Sequence, residues 1–300
     1  MLFSRFKKMN RLLLLLFPFL LGCQLFDQPE IAPSYIHIEN FNFIITNSSQ
    51  GTNSEKITDA WVYVNNNLEG VYELPATIPL HYKGINDLTI YPGIKRNGIA
   101  ADRKKYPFYT QYPINLDLIA DSIIEIYPTT EYEDQLFMWI EDFEDPQHKF
   151  NSTANSFVDL TVIDAPTNEV FEGNTGAINL DSGQLYCEIR TDELEFNSFP
   201  KNLSIPAYIE LDYANNFPFE IGILHKDASI SFYLKEPLIT FVPTTETDSS
   251  LIWNKTYLYI SDATNFHTNA TEFDLYLSVS NPNQINDIKI RLDNFKVIYR

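Results

Sequence analysis

Residues 273–280, FDLYLSVS, set Phe273, Leu275, Leu277 and Val279 on one side of an extended chain and Asp274, Tyr276, Ser278 and Ser280 on the other. Alternation with a period of two belongs to a strand buried on one face. The pattern recurs: YIELDY alternates Ile209, Leu211 and Tyr213 with Tyr208, Glu210 and Asp212, and QLYCEIR aligns Leu185, Cys187 and Ile189. No long segment carries a 3.6-residue period. The chain is rich in strand formers, with 22 Phe and 18 Tyr, and 17 Pro break it into short pieces. The expected class is therefore all-β.

Two blocks of strands are expected. Six runs between residues 35 and 128 fit an immunoglobulin-like sandwich, with a hairpin turn at Asn65-Asn66-Asn67 because Asn tolerates positive φ. A polar, turn-rich stretch at 127–135 separates them from eight or nine runs over 136–300, which fit a jelly roll. In the last run, Ile288, Ile290 and Leu292 stand on even positions, and Phe295 and Val297 on odd ones. The phase slips at Asp293-Asn294, through either a β-bulge or a strand end.

The apolar run at 12–21 has about half of the roughly 20 residues that a membrane span needs. Arg5, Lys7, Lys8 and Arg11 precede it, and no acidic residue stands before Asp27. A basic start followed by a short apolar run reads as a secretory signal peptide over 1–22. Leu20-Leu21-Gly22-Cys23 resembles the lipobox of bacterial lipoproteins. That resemblance implies cleavage before Cys23, its acylation and stable anchoring by several acyl chains, with residues 23–34 as a tether. It points to the outer membrane of a Bacteroidota-type bacterium, with the domains facing the cell surface. Cys187 would then be the remaining cysteine, and its place on an apolar phase makes it a core thiol.

The formal net charge is −19, and the leader contributes only positive charge, so the rest of the chain is more acidic still. Nucleic acid is excluded as a partner by this sign. No HExxH, GxSxG or P-loop occurs and the five histidines are dispersed, so no enzyme activity is expected. Against the acidic background stand Lys95, Arg96, Arg103, Lys104 and Lys105, followed by Tyr106, Phe108 and Tyr109 in YPFYTQYP. This is either a solvated loop or a partner-facing surface for an acidic protein or lipid phosphates.

The segments WIEDFEDP, PAYIELDYANNFPFEIGI and IRLDNFKVIY resemble the opening strand, central hairpin and closing strand of the galactose-binding-like jelly rolls found in carbohydrate-binding modules. That resemblance implies a structural calcium held by Glu144 and Asp293, with Asp142 as a third ligand; a solvated acidic loop is the other reading. The N-terminal half is similar to the immunoglobulin-like modules of Bacteroidota lipoproteins, and Asp121-Ser122-Ile123 matches the pattern that this phylum O-glycosylates at the serine, here Ser122. The expected function is a non-catalytic scaffold or interaction subunit of an envelope complex. The alternative is surface glycan binding by the jelly roll, with Trp253 and Tyr257 as candidate aromatics.

Overall fold

The structure, a computed structural model, describes residues 32–164, 169–191, 199–245 and 250–300. The expected signal peptide, the lipidation of Cys23 and most of the tether lie outside the described residues. Among them no helix is long and apolar enough to cross a membrane.

The chain is all-β: an immunoglobulin-like sandwich followed by a jelly roll. In the first unit, β1 (Ser34–Ile38) lies between β5 (Ala76–Leu80), antiparallel, and β9 (Ile123–Ile126), parallel. The facing sheet joins β4 (Asn67–Glu73), β3 (Asp59–Val64) and β6 (Gly84–Lys95); β7 (Arg103–Lys105) and β8 (Tyr112–Leu118) share the far edge of β6. β2 (Asn42–Ile44) pairs with β10 (Thr129–Glu131). Asn65 and Asn66, at φ 49° and 66°, form the two-residue turn between β3 and β4. Both central residues of such a turn need positive φ, which asparagine accepts at low strain.

In the second unit, β13 (Thr161–Asp164), β14 (Asn174–Leu180), β21 (Ile288–Tyr299), β16 (Ala207–Asn215) and β19 (Asn254–Tyr259) form one sheet in that order, and β11 (Phe137–Glu141) also pairs with β21. The opposing sheet runs β12 (Phe150–Ser152), β15 (Tyr186–Thr191), β20 (Ala270–Ser280), β17 (Phe219–Asp227) and β18 (Leu234–Phe241). A short helix, α1 (Ser261–Phe266), links β19 to β20. From β14 onward the chain crosses between the sheets at nearly every connection, and this strand order is that of a jelly roll. The expected central hairpin is corrected: β16 and β17 lie in opposite sheets, because Asn216, Phe217 and Pro218 carry the chain across the sandwich.

The phase slip in the last run is a bulge. Glu210 pairs with Lys296 and Asp212 with Asp293, so one residue of β16 faces two of β21, and Asn294 takes φ 46°. The extra residue turns the strand over mid-course. Ile288, Ile290, Leu292, Phe295, Val297 and Tyr299 thereby all enter one core.

Every residue of β16 is buried. Ile209, Leu211 and Tyr213 face the jelly-roll core, while Tyr208 joins the core of the first unit. The first unit covers the outer face of this sheet around Tyr208, Tyr257 and Ile298, so the two sandwiches share a buried boundary. Tyr106 lies against Tyr208 and Tyr257, with ring centroids 5.2 and 4.8 Å away. Glu210, wholly buried, accepts hydrogen bonds from Tyr106 Oη (2.6 Å) and Tyr132 Oη (2.8 Å), and Lys255 stands 3.7 Å away. A buried carboxylate is tolerable only with such partners.

Candidate functional site

With one jelly-roll sheet covered, the β12–β15–β20–β17–β18 sheet has the open face. Cross-strand register sets its side chains in rows. Glu188, Ser278, Glu220 and Thr240 fall in one row; Arg190, Tyr276 and Gly222 fall in the next. Gly222 is a spatial requirement: a Cβ there would come within 2.5 Å of both the Tyr276 ring and the Glu236 carbonyl oxygen. The missing side chain lets the Tyr276 ring lie across β17.

Tyr276 Oη donates to Glu220 Oε1 at 2.7 Å, and Lys235 Nζ donates to Tyr186 Oη at 2.9 Å and to Glu188. The Lys235 ammonium stands over the Tyr276 and Tyr186 rings, 4.9 and 5.6 Å from their centroids. Burial, then the hydrogen bond to Glu220, pushes the Tyr276 hydroxyl above its ordinary range, so it stays a donor. Burial opposes the charge on Lys235, but Glu188 and Tyr186 hold its ammonium above the usual value. Further along the face, Tyr233 Oη donates to Glu272 at 2.8 Å, Lys226 pairs with the same carboxylate at 3.1 Å, and Arg190 lies over the Tyr233 ring at 5.3 Å.

At the Tyr186 end lies a cleft of about 490 Å³. Phe217, Pro218, Pro282 and the Tyr186 ring give it apolar walls. Glu220, Thr240, Ser278, Ser280 and Asn283 give it polar groups. Among the described residues, the side chains of Thr240, Ser278, Ser280 and Asn283 have no hydrogen-bond partner, and Glu220 uses only Oε1. An apolar wall facing a few convergent polar groups is the usual make-up of a small-molecule site.

The sequence-predicted residues fall elsewhere. Tyr106, Phe108 and Tyr109 are 2%, 0% and 3% exposed. Their expected exposure is corrected, because they fill the boundary between the sandwiches. The basic island is not a free cationic patch. Lys95 pairs with Glu73 at 2.7 Å, Arg103 with Glu73 at 2.8 Å and with Asp59, and Arg96 with Asp102 at 2.7 Å. Lys104 stands 3.6 Å from Asp102, and Lys105 lies over the Tyr91 ring at 4.3 Å. Hydrogen bonds from Lys95 and Arg103 hold Glu73 down at about 2. Next to the island, Asn97 N–H donates to the Tyr257 carbonyl at 2.8 Å and Tyr259 N–H to Asn97 Oδ1 at 2.7 Å. The surface this loop meets is the chain's own jelly roll.

Glu144 and Asp293 both reach the loop 172–175, but as hydrogen-bond acceptors. Glu144 accepts from Asn174 N (2.6 Å) and Nδ2 (3.0 Å); Asp293 accepts from Glu172 N and Thr175 Oγ1, each 3.3 Å, and from Asn294 N (2.7 Å). Asp142 accepts from Glu144 N at 3.3 Å. Burial pushes the Asp293 carboxyl up to about 8. Among the described residues no group of three or more His, Cys, Asp or Glu is placed to hold a metal. Asp142, Glu144 and Asp293 are not gathered into one such group.

Trp253 packs on Phe171, ring centroids 5.1 Å apart, and Tyr257 is 1% exposed at the boundary. Neither is on the open face, which corrects the aromatics chosen from sequence. Ser122 closes a turn, its hydroxyl donating to the Ile119 carbonyl at 2.6 Å. Cys187 is buried, and burial pushes its thiol up to about 12. The histidines are dispersed in sequence, yet His225 and His267 stack with centroids 3.6 Å apart.

The residues that sequence reasoning missed are Tyr186, Glu220 and Lys235. A signal existed: Cys187 and Ile189 facing inward imply Tyr186 and Glu188 facing outward. Pairing of β15, β20 and β17 is long-range, and local alternation cannot supply it.

No family model and no curated protein matches the chain. Solved structures similar to part of the chain include the C-terminal family 22 carbohydrate-binding module of Xyn10B from Clostridium thermocellum, at 10% identity over 53% of this chain and 91% of that one, with a TM-score of 0.33. A non-crystalline cellulose specific module, CBM28, is 12% identical over 52% and 91%, with a TM-score of 0.36. The family 11 module of Clostridium thermocellum, in complex with a β-1,3-1,4-mixed-linked tetrasaccharide, is 12% identical over 54% and 94%, with a TM-score of 0.34. These likenesses are loose, and the jelly-roll assignment stands on the strand order alone.

Proposed function

We propose that this chain is a non-catalytic glycan-binding protein whose ligand lies in the cleft on the open jelly-roll face. One observation carries the proposal: the Tyr186 ring and Phe217–Pro218 wall the same cleft into which the unpartnered side chains of Thr240, Ser278, Ser280 and Asn283 project. A sugar presents an apolar ring face and a rim of hydroxyls, and this pairing of wall and polar groups answers both. The acidic surplus and Glu220 favour a neutral sugar over a polyanionic one. Glu188 and Glu220 are engaged by Lys235 and Tyr276, which supports binding over acid–base chemistry. The leader and Cys23 support a lipid-anchored protein at the outer membrane, and the covered 95–109 loop weakens the argument for a scaffold that docks through it.

The test is a glycan array followed by calorimetric titration of each positive. Neutral oligosaccharides should bind, and Tyr186→Ala and Glu220→Gln should each weaken binding about tenfold, ~1.4 kcal/mol. A blank array, or binding indifferent to both changes, contradicts the proposal. For the anchor, Cys23→Ser should move the chain from the membrane to the soluble fraction; no change removes the lipid.

A further inference from the structure

A second surface lies on the other sandwich. β8 pairs only with β6, so its far edge is free among the described residues. Which groups point there follows from its neighbour. Asp87 faces Asn115 across the pair, yet Asp87 O accepts from Asn65 N (2.8 Å) and Asp87 N donates to Asn65 Oδ1 (3.1 Å), on the opposite side of β6. Asp87 and Asn115 are therefore a non-hydrogen-bonded pair, and the main-chain N–H and C=O of Asn115 point out to the edge. By the same period Asp117 points outward too, and so does Pro113, which has no N–H and suits an edge.

The inward side chains of this strand, Tyr112, Ile114 and Leu116, are only partly buried against their core, and Ile124 of β9, packed on the same core, is likewise half-covered. A cleft of about 400 Å³ lies at the Tyr112 end, between Tyr112–Pro113 and Ile44, Thr129 and Glu131. The chain that forms this edge is acidic. From residue 106 to 148 the sequence has ten Asp and Glu and no Lys or Arg. Asp117 and Glu125 are exposed and Glu131 lines the cleft. Basic side chains stand only at the two ends of this edge: Lys83 precedes Gly84 at the Leu118 end, and beyond the Tyr112 end Lys95 and Arg103 pair with Glu73 while Lys105 lies over the Tyr91 ring.

We propose that the free edge of β8 is a strand-addition site for an extended, basic segment of a partner protein with apolar residues at alternate positions. Main-chain bonds to Asn115 and Asp117 supply the pairing. The alternate apolar residues extend the layer of Tyr112, Ile114 and Leu116, and the basic ones stand beside Asp117 and Glu131. The site is independent of the glycan cleft.

The probe is a labelled peptide alternating valine and lysine, titrated into the full chain and followed by fluorescence anisotropy. Controls are its valine–glutamate counterpart and a version broken by a central proline. The valine–lysine peptide should bind saturably and the two controls should not. Asn115→Pro and Asp117→Lys should each weaken binding by about tenfold or more. Asp117→Lys alters an exposed side chain, so it keeps the test valid if Asn115→Pro fails to fold. Absence of saturable binding, equal binding of the proline-broken peptide, or indifference to Asp117→Lys overturns the proposal. Self-association of the chain abolished by Asn115→Pro assigns the edge to a second copy and overturns it equally.

Discussion

Tyr106 donates a 2.6 Å hydrogen bond to Glu210 across 104 positions of sequence, and the bond ties one sandwich to the other. Tyr106 is held above the ordinary tyrosine range first by burial and then by the Glu210 carboxylate, so it remains the donor. Tyr106→Phe leaves Glu210 buried with one partner fewer. The change should destabilise the chain by about 2 kcal/mol, because the bond is made to a charged group. Urea denaturation of the pair measures it; an unchanged midpoint contradicts the role given to this bond.

Asp293 predicts a pH dependence. Its folded-state value of about 8 stands well above the ordinary aspartate range, mainly through burial. A carboxyl that holds its proton more tightly when folded destabilises nothing below its unfolded value. It destabilises increasingly as pH rises from there to the folded value. Asp293→Asn should therefore gain melting temperature relative to the native chain between about pH 4 and pH 8. Melting curves over that window check this; a constant difference contradicts it.

Gly222→Ala tests the packing under Tyr276. The added Cβ meets the Tyr276 ring and the Glu236 carbonyl oxygen at 2.5 Å. It should destabilise by about 1–3 kcal/mol, the usual effect of overpacking. It should also weaken glycan binding, because the ring that holds Glu220 must move. Retained affinity with lowered stability would detach Tyr276 from the site.

Deleting Asn294 removes the bulge. Phe295, Val297 and Tyr299 would then turn to the face of Glu210 and Tyr208, and Lys296 toward the core. The protein should fail to fold cooperatively, with loss of the single urea transition. Asn294→Gly keeps positive φ and should keep the fold.

The local half of this architecture is legible in the sequence. The alternation in FDLYLSVS and YIELDY, the turn at Asn65-Asn66 and the phase slip at Asp293-Asn294 all follow from periods and φ preferences that a few residues contain. What covers a face does not. Glu210 and Asp212 alternate as solvent-facing residues should, yet they lie under residues from more than a hundred positions earlier. The basic island looks free in sequence because its partners Glu73 and Asp59 stand 30 and 44 positions from Arg103. Tyr106 and Tyr109 look like contact residues, and they are; the contact is internal. The candidate cleft is half-legible, since period two turns Tyr186, Tyr276 and Ser278 outward, but it takes the order β15–β20–β17 to bring them together.

The central claim is that the open jelly-roll face binds a glycan through the cleft beside Tyr186. The most direct measurement is calorimetric titration of one array-positive neutral oligosaccharide into the native chain, Tyr186→Ala and Glu220→Gln, each checked for an unchanged melting temperature. The account predicts saturable binding by the native chain and a loss of about tenfold or more in both variants. Binding of equal strength in all three would contradict it.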